Sequence, residues 1–248
     1  MDSQTTDYLA TIRALSDRIV EAQRPIRILD AIKWHSDVRE RFFATGCREL
    51  PAVDAAFYHE RNPLDFDPRQ KRMELHEIER DIARQLGQLN PLSGIMGRIC
   101  REYTTVVRML EARGTEDFGR YAEDLYGAAS DVFHAGDPTL ADLGTVMEET
   151  VANLLRNESM AEAEKTIDAA TAVEHLNARF SATFPEAGIR VLLNDQMTAD
   201  AAAGSDYLKI RSDARFNAQD LDVLEVHEGW IHLGTTLNGA AQPYCTFL

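Results

Sequence analysis

Apolar residues recur at helical spacing through most of the first 180 residues, and turn-forming residues separate the runs. The first run carries Leu9, Ile12, Leu15 and Ile19, and it ends before Pro25 because proline disfavours a helical conformation of the residue that precedes it. The same periodicity predicts helices over Ile28–Ala44, from Asp67-Pro68 to Leu86-Gly87, over Ile95–Arg113, and over 116–127, 138–156 and 163–180, with an irregular connection from Leu50 to Pro68.

The pattern changes after residue 185. Residues Gly188–Leu193 are rich in aliphatic and β-branched side chains and predict a strand, whereas Thr198–Gly204 is small and turn-prone. Tyr207–Arg211 alternates apolar with polar residues, which is typical of a half-buried edge strand. A final helix is expected to begin at a cap on Asn217 and to end at Asn238-Gly239. The sequence therefore predicts a mostly helical α+β protein. It divides into a helical region over 1–180 and a mixed region over 181–248, and these two regions could also form one continuous domain.

Charge and composition narrow the classes of function. The 248 residues include 41 acidic and 26 basic side chains, a net charge of −15, which argues against binding to nucleic acid or to anionic membranes. No apolar window approaches the ~18 residues of a membrane span, and the N-terminus does not resemble a signal peptide, so we expect a soluble, cytoplasmic protein. Cys47, Cys100 and Cys245 are far apart and are interpreted as reduced thiols.

The last predicted helix contains the segment VHEGWIHLGTTLNG, in which two histidines and a glutamate fall within a stretch of six residues. Zinc peptidases place two histidines one helical turn apart with a glutamate after the first, but here the spacing from His227 to His232 is one residue longer. Five α-helical steps overshoot one turn by about 140°, so a regular helix would point the two rings apart. A π-type widening or a local loosening at Gly229 would bring them together.

The alternative is that this helix is purely structural. A histidine among apolar neighbours is more often a hydrogen-bonded core residue than a metal ligand. The His-Glu pair by itself is weak evidence, since the chain also contains His59-Glu60 and His76-Glu77. Only His227-Glu228 has a second histidine close by, which favours a zinc site at this pair. Spacing alone does not decide between a zinc site and a structural helix.

The final run, VHEGWIHLGTTLNGAAQPYCTFL, resembles the bacterial proteins named for modulating flavohemoglobin expression and for a QEGLA motif. It also resembles, more distantly, the catalytic domain of the eukaryotic microtubule-associated tyrosine carboxypeptidases, which share H-E-x-x-x-H. The likeness continues upstream through LDAIKW, CRELPAVD, REYTTVVRMLEARGTEDF and DLYGAASD, and so covers nearly the whole chain.

This resemblance implies a zincin-like fold and a zinc-dependent peptidase, plausibly a carboxypeptidase that acts on the C-terminus of a peptide or protein. It implies that His227 and His232 hold the zinc ion and that Glu228 acts on the attacking water. Lys209 and Arg211 lie on the strand before the final predicted helix, Asn217–Gly239 (the motif helix). They could receive a terminal carboxylate, but an outward-facing pair on an edge strand explains them equally well. The rival hypothesis is a non-enzymatic regulatory or interaction protein in which the motif helix is structural.

The resemblance also implies a third zinc ligand, a glutamate in or near a QEGLA stretch that this sequence lacks. Glu225, Asp222 and Asp206 could substitute for it, but we interpret all three as solvated acids. We therefore expect a truncated chain that is inactive or impaired, with little or no hydrolysis by itself, since two histidines alone bind zinc weakly. The apolar end, PYCTFL, is expected to leave apolar surface exposed and to favour self-association.

Overall fold

The computed structural model of the protein describes residues 3–156, 163–195, 197, 199–204 and 206–247. The chain divides into two compact units, Met1–Glu149 with Phe247 and Thr150–Thr246 with Leu248. The first unit is helical, with elements α1 (Ser3–Gln23), α2 (Ile28–Ile32), α3 (Ser36–Ala44), α4 (Ala55–Arg61), α5 (Pro68–Leu86), α6 (Pro91–Glu111), α7 (Glu116–Tyr126) and the first part of α8 (Leu140–Arg156).

The core of the first unit lies where α5 and α6 pack against each other and against α1. Their buried faces follow the helical periodicity of the sequence, with Leu75, Ile78 and Ile82 on α5 and Met96 and Leu110 on α6 among the innermost side chains. The start of α5 agrees with prediction, since the Asp67 side chain accepts a hydrogen bond from the Gln70 amide at 2.8 Å.

The predicted helix over Ile28–Ala44 is wrong in one respect, because it is broken between α2 and α3. The carbonyl oxygens at the end of α2 are taken by side chains from elsewhere in the unit. Asn62 donates to Asp30 and Ala31 at 2.9 and 3.0 Å, and the buried guanidinium of Arg113 also donates to Ala31. These tertiary hydrogen bonds replace those of a continuing helix.

Two other predictions for the helical part need correction or fall outside the description. The connection from Leu50 to Pro68, expected to be irregular, contains α4, which begins at a cap on Asp54. The predicted 138–156 helix is present as α8, whereas its polar separator at 157–159 lies outside the described residues.

The second unit is mixed α and β, and with the helices of the first unit it makes the chain an α+β protein that is mostly helical. Its elements after α8 are β1 (Ile167–Asp168), α9 (Ala169–Thr183), β2 (Arg190–Asn194), β3 (Ala201–Ala203), β4 (Tyr207–Arg211), β5 (Arg215–Phe216), α10 (Ala218–Leu224), a π-helix (Glu225–Leu233) and α11 (Gly234–Ala240).

The larger of two small sheets in the described part of this unit has the strand order β2-β4-β3. β4 is parallel to β2 and antiparallel to β3, so it is the central strand and not the edge strand that its alternation predicted. The turn-prone segment before it supplies β3, a strand that the sequence did not predict. Leu208 and Ile210 of β4 are fully buried in a core shared with Leu176 and Phe180 of α9.

Among the described residues, no helix combines the length and apolar character that a bilayer span requires. At the C-terminal end, Tyr244 and Phe247 are half-buried, and Phe247 packs against the core of the first unit. The cytoplasmic location and the self-association expected from the sequence stay predictions.

Candidate metal centre

The motif histidines lie on one uninterrupted helical segment in which the hydrogen-bond pattern changes twice. The segment starts as α10, whose capping box agrees with the prediction at Asn217: its side chain accepts from the Asp220 amide at 2.9 Å, and the Asp220 side chain accepts from the Asn217 amide at 2.9 Å. The helix then widens into the π-helix before it returns to α geometry in α11.

The widening of the helix brings the two histidines to the same side of it. Within the π-helix the amide of residue i+5 bonds the carbonyl of residue i, and the Gly234 amide donates to the Gly229 carbonyl in this way. Residues five apart therefore lie on the same side of the helix. The Nε2 atoms of His227 and His232 are 3.2 Å apart, and the two rings are nearly perpendicular at 85°. The predicted π-type widening is confirmed.

Glu228 is the buried member of the group. Its carboxylate Oε2 accepts a hydrogen bond from the Ala203 amide of β3 at 2.9 Å, and its Oε1 lies 3.9 Å from His227 Nε2. The side chain of His227 is 57% exposed, whereas that of Glu228 is 11% exposed. The structure thus holds the acid against the sheet and leaves the imidazoles open to solvent.

These three side chains could hold a metal ion. One ligand atom from each of His227, Glu228 and His232 lies within 4.8 Å of the others. Across the described ranges, no second group of three histidine, cysteine, aspartate or glutamate side chains comes together in this way. The structure therefore brings together the three residues that the sequence singled out.

An open cleft of about 530 Å³ lies beside the group. It is lined by Glu228, His232 and Thr236 of the helical segment and by Ala201–Gly204 at the edge of the sheet. The walls are small because β3 carries only alanines, and Gly204 lies against the ring of Tyr207, where a Cβ atom would be 2.3 Å from Cζ. The cleft thus lies between His232 and the edge strand β3.

The three acids that could replace the missing third ligand are not part of the group formed by His227, Glu228 and His232. Asp222 is exposed, and Asp206 is exposed and paired with Arg190 at 3.1 Å. The interpretation of Glu225 as a solvated acid is wrong, because it is buried and its two oxygens accept from Arg179 at 2.7 and 3.0 Å. The hydrogen bonds from Arg179 lower the pKa of Glu225 and keep it ionised.

The two cations considered for a terminal carboxylate have different surroundings. Arg211 is paired with Asp200 at 2.7 Å and with Asp213 at 2.9 Å. Lys209 Nζ lies 5.0 Å from the centre of the Tyr207 ring, the same ring that contacts Gly204 in the cleft wall. Both cations lie on the central strand β4 and not on an edge strand, and they alternate with the buried Leu208 and Ile210, which turns them to the outer face of the sheet.

Sequence reasoning missed three contributors to the site. The Ala203 amide orients Glu228, Arg179 holds Glu225, and Thr236 lines the cleft four residues after His232. The helical spacing of Thr236 was a readable signal. The other two contacts join residues that are 25 and 46 positions apart, and no pattern in the sequence indicates them.

Compared with family models, curated proteins and solved structures, the sequence matches one family model. The family model described as microtubule-associated tyrosine carboxypeptidase matches residues 40–248. No curated protein and no solved structure gives a match.

Proposed function

The chain belongs to the microtubule-associated tyrosine carboxypeptidase family, and from this premise we propose that it has the site of a zinc-dependent, zincin-like carboxypeptidase. The observation that carries the proposal is the convergence of His227 and His232 beside Glu228. Without a metal, the two Nε2 atoms at 3.2 Å can share at most one hydrogen bond, and both rings are exposed, so this contact adds little to a helix whose role is only structural.

The histidine geometry fits zinc. Two imidazole nitrogens that bind one tetrahedral zinc ion at about 2.0–2.1 Å lie roughly 3.3–3.4 Å apart. The separation of the two Nε2 atoms is 3.2 Å, so little rearrangement of the rings would be needed. His227 and His232 would hold the ion, which when bound supplies a Lewis acid for water and for the scissile carbonyl. Two imidazoles hold zinc less firmly than the three protein ligands of a usual catalytic site.

Glu228 is proposed as the general base. It follows the first histidine directly, and its Oε1 atom faces the histidine pair while Oε2 is held by Ala203. A carboxylate fixed at one oxygen can take a proton from the attacking water on the other and then deliver it to the leaving amine. The hydrogen bond from Ala203 restricts its rotamers and keeps Oε1 directed at the cleft.

The edge strand is proposed to hold the substrate backbone. In the β3–β4 pairing, Gly204 and Asp200 bond to β4, so alternation turns the backbone groups of Ala201 and Ala203 away from β4. The Ala203 amide is bonded to Glu228, which leaves the Ala203 carbonyl and the backbone groups of Ala201 for a substrate. An extended peptide can add to such an edge as a further strand. Lys209 is the better placed of the two β4 cations to receive a terminal carboxylate, since Arg211 is already paired with two acids.

Zinc titration and peptide hydrolysis test this function together. Zinc affinity measured by chelator competition should fall at least about tenfold in a His227→Ala, His232→Ala double variant and stay close to wild type in Glu228→Gln. Hydrolysis should be slow with two histidine ligands, and Glu228→Gln should reduce it by about 10²–10⁴-fold.

A peptide with an amidated C-terminus is the matched substrate control. It should resist cleavage, whereas the same peptide with a free carboxylate should lose its last residue. If the double variant without both histidines still binds zinc as tightly as wild type, the metallopeptidase hypothesis is rejected. That result would leave the regulatory or interaction protein with a structural motif helix as the better account.

A further inference from the structure

Helix α9 packs along one side of the π-helix through three successive contacts. Arg179 pairs with Glu225, Phe180 lies against the backbone of Gly229, and the ring of Phe184, the residue after α9, lies 5.6 Å from that of Trp230. At the middle contact a Cβ atom on residue 229 would be 2.3 Å from Phe180 Cε1. None of these groups belongs to the metal-binding set.

These contacts lie on the side of the π-helix opposite the histidines. One π-helical turn takes between four and five residues, so Glu225 and Trp230 share a side, as do His227 and His232. The two pairs are offset by two residues, which is roughly half a turn. α9 therefore supports the wide helix from behind while the imidazoles face the cleft.

The Arg179–Glu225 pair is the most restrictive of the three contacts. Nε and Nη2 of the guanidinium donate to separate oxygens of Glu225, and such a two-point arrangement fixes orientation as well as distance. The Glu225 side chain is only 8% exposed, so it has little solvent to replace a lost partner. Glu225 is also the first residue of the π-helix, where the hydrogen-bond pattern changes.

We propose that Arg179 and Glu225 are positioning residues that set the metal affinity of His227 and His232 by fixing the register of the π-helix. If the segment returned to α geometry, the two rings would turn about 140° apart and could not share one ion. The ion pair acts through the backbone and touches neither histidine. The inference rests on the proposed function, because a metal is what the paired imidazoles are taken to bind.

Two variants at the pair and one control elsewhere test the inference. Glu225→Gln removes the charge with little change in shape, and Arg179→Lys keeps the charge but loses the two-point contact. Asp206→Asn breaks the exposed Arg190–Asp206 pair of the same unit and serves as the matched control. Zinc affinity should fall about tenfold or more in Glu225→Gln, less in Arg179→Lys, and stay within about twofold in Asp206→Asn.

The absorption spectrum of bound Co²⁺ supplies a readout that a general loss of stability would not move. Glu225→Gln should shift the visible Co²⁺ bands because the angle between the two imidazoles changes, whereas Asp206→Asn should leave them in place. If Glu225→Gln fails to fold, Arg179→Lys gives the decisive comparison. Wild-type affinity and an unchanged Co²⁺ spectrum in a folded variant at the pair would overturn the inference, and so would an equal loss in the control.

Measurements on metal-free protein separate this inference from the proposed function. Glu225→Gln should shift the ring resonances of His227 and His232 in NMR spectra and speed amide hydrogen exchange in the π-helix. If the wild-type protein binds no zinc, the proposed function fails, and the positioning role is then decided by those resonances alone. Ring signals that match wild type in metal-free Glu225→Gln would reject the positioning role.

Discussion

The amide of Ala203 donates a hydrogen bond of 2.9 Å to the carboxylate of Glu228, and this contact joins the edge strand to the motif helix. It gives a buried acid a fixed donor and aims its second oxygen at the histidine pair.

Ala203→Pro should destabilise the second unit because proline has no amide hydrogen and would leave the buried Glu228 carboxylate without this donor. We expect a loss of about 1–3 kcal/mol in the free energy of unfolding. Ala201→Pro is the matched control, since its amide faces the same open edge two residues earlier. Urea unfolding followed by the fluorescence of Trp230, in a Trp34→Phe background, reports on this unit.

A double-mutant cycle decides whether the hydrogen bond is the cause. In a Glu228→Ala background the cost of Ala203→Pro should shrink to that of Ala201→Pro. An unchanged cost would mean that strain from proline, and not the lost hydrogen bond, destabilises the unit.

Gly229→Ala should also destabilise the second unit. A methyl group there would overlap the ring of Phe180, which is buried and 1% exposed, so either the ring or the π-helix must shift. Overpacking of this kind costs about 1–3 kcal/mol. Gly234→Ala is the control in the same segment, because its Cβ would meet nothing closer than 3.5 Å.

The two glycine variants should move in opposite directions in thermal unfolding. Gly234→Ala should stabilise the segment by up to about 1 kcal/mol, since alanine has the higher helix propensity. Equal and small effects at both positions would contradict the close contact between Gly229 and Phe180.

Asp168→Asn should make the second unit less sensitive to acid. The Asp168 side chain caps α9 by accepting from the Thr171 amide at 2.8 Å, and this hydrogen bond lowers the pKa of Asp168. A group whose pKa is lowered by folding contributes stability above its unfolded pKa of about 3.9 and loses it as pH falls through the folded value. Asparagine caps about as well but does not titrate.

The measurement is the difference in urea midpoint between wild type and Asp168→Asn across pH. This difference should favour wild type most near neutrality and shrink between about pH 4 and pH 2. All other acids are common to both proteins, so their titration cancels in the comparison. A difference that is constant with pH would exclude the capping carboxylate as a source of acid sensitivity.

The cysteines should differ sharply in reactivity. Burial raises the pKa of the Cys100 thiol to about 12, so almost no thiolate is present at neutral pH. Cys47 is exposed. We expect iodoacetamide at pH 8 to modify Cys47 in native protein and to reach Cys100 only after unfolding in urea, as followed by mass spectrometry. Modification of Cys100 at the rate of Cys47 in native protein would show that its core opens readily.

Much of the helical architecture follows from local pattern. The apolar spacing of α5 and α6 and the caps at Asp67 and Asn217 are readable because short-range hydrogen bonds and one apolar face decide them. The break between α2 and α3 is not readable, since it depends on Asn62 and Arg113 taking the carbonyls at the end of α2.

The sequence by itself determined which side chains form the candidate metal centre, because His227, Glu228 and His232 share one short helical segment. It also determined a condition for metal binding, because two histidines five residues apart lie on the same side only if the helix widens. Only the tertiary structure shows that it does widen, and it places two contacts from α9 along the widened segment, Phe180 against Gly229 and Arg179 paired with Glu225. It also decided that Ala201–Ala203 is a strand, because alanines with little intrinsic preference adopt the conformation that their hydrogen bonds to β4 and the contact from Ala203 to Glu228 make favourable.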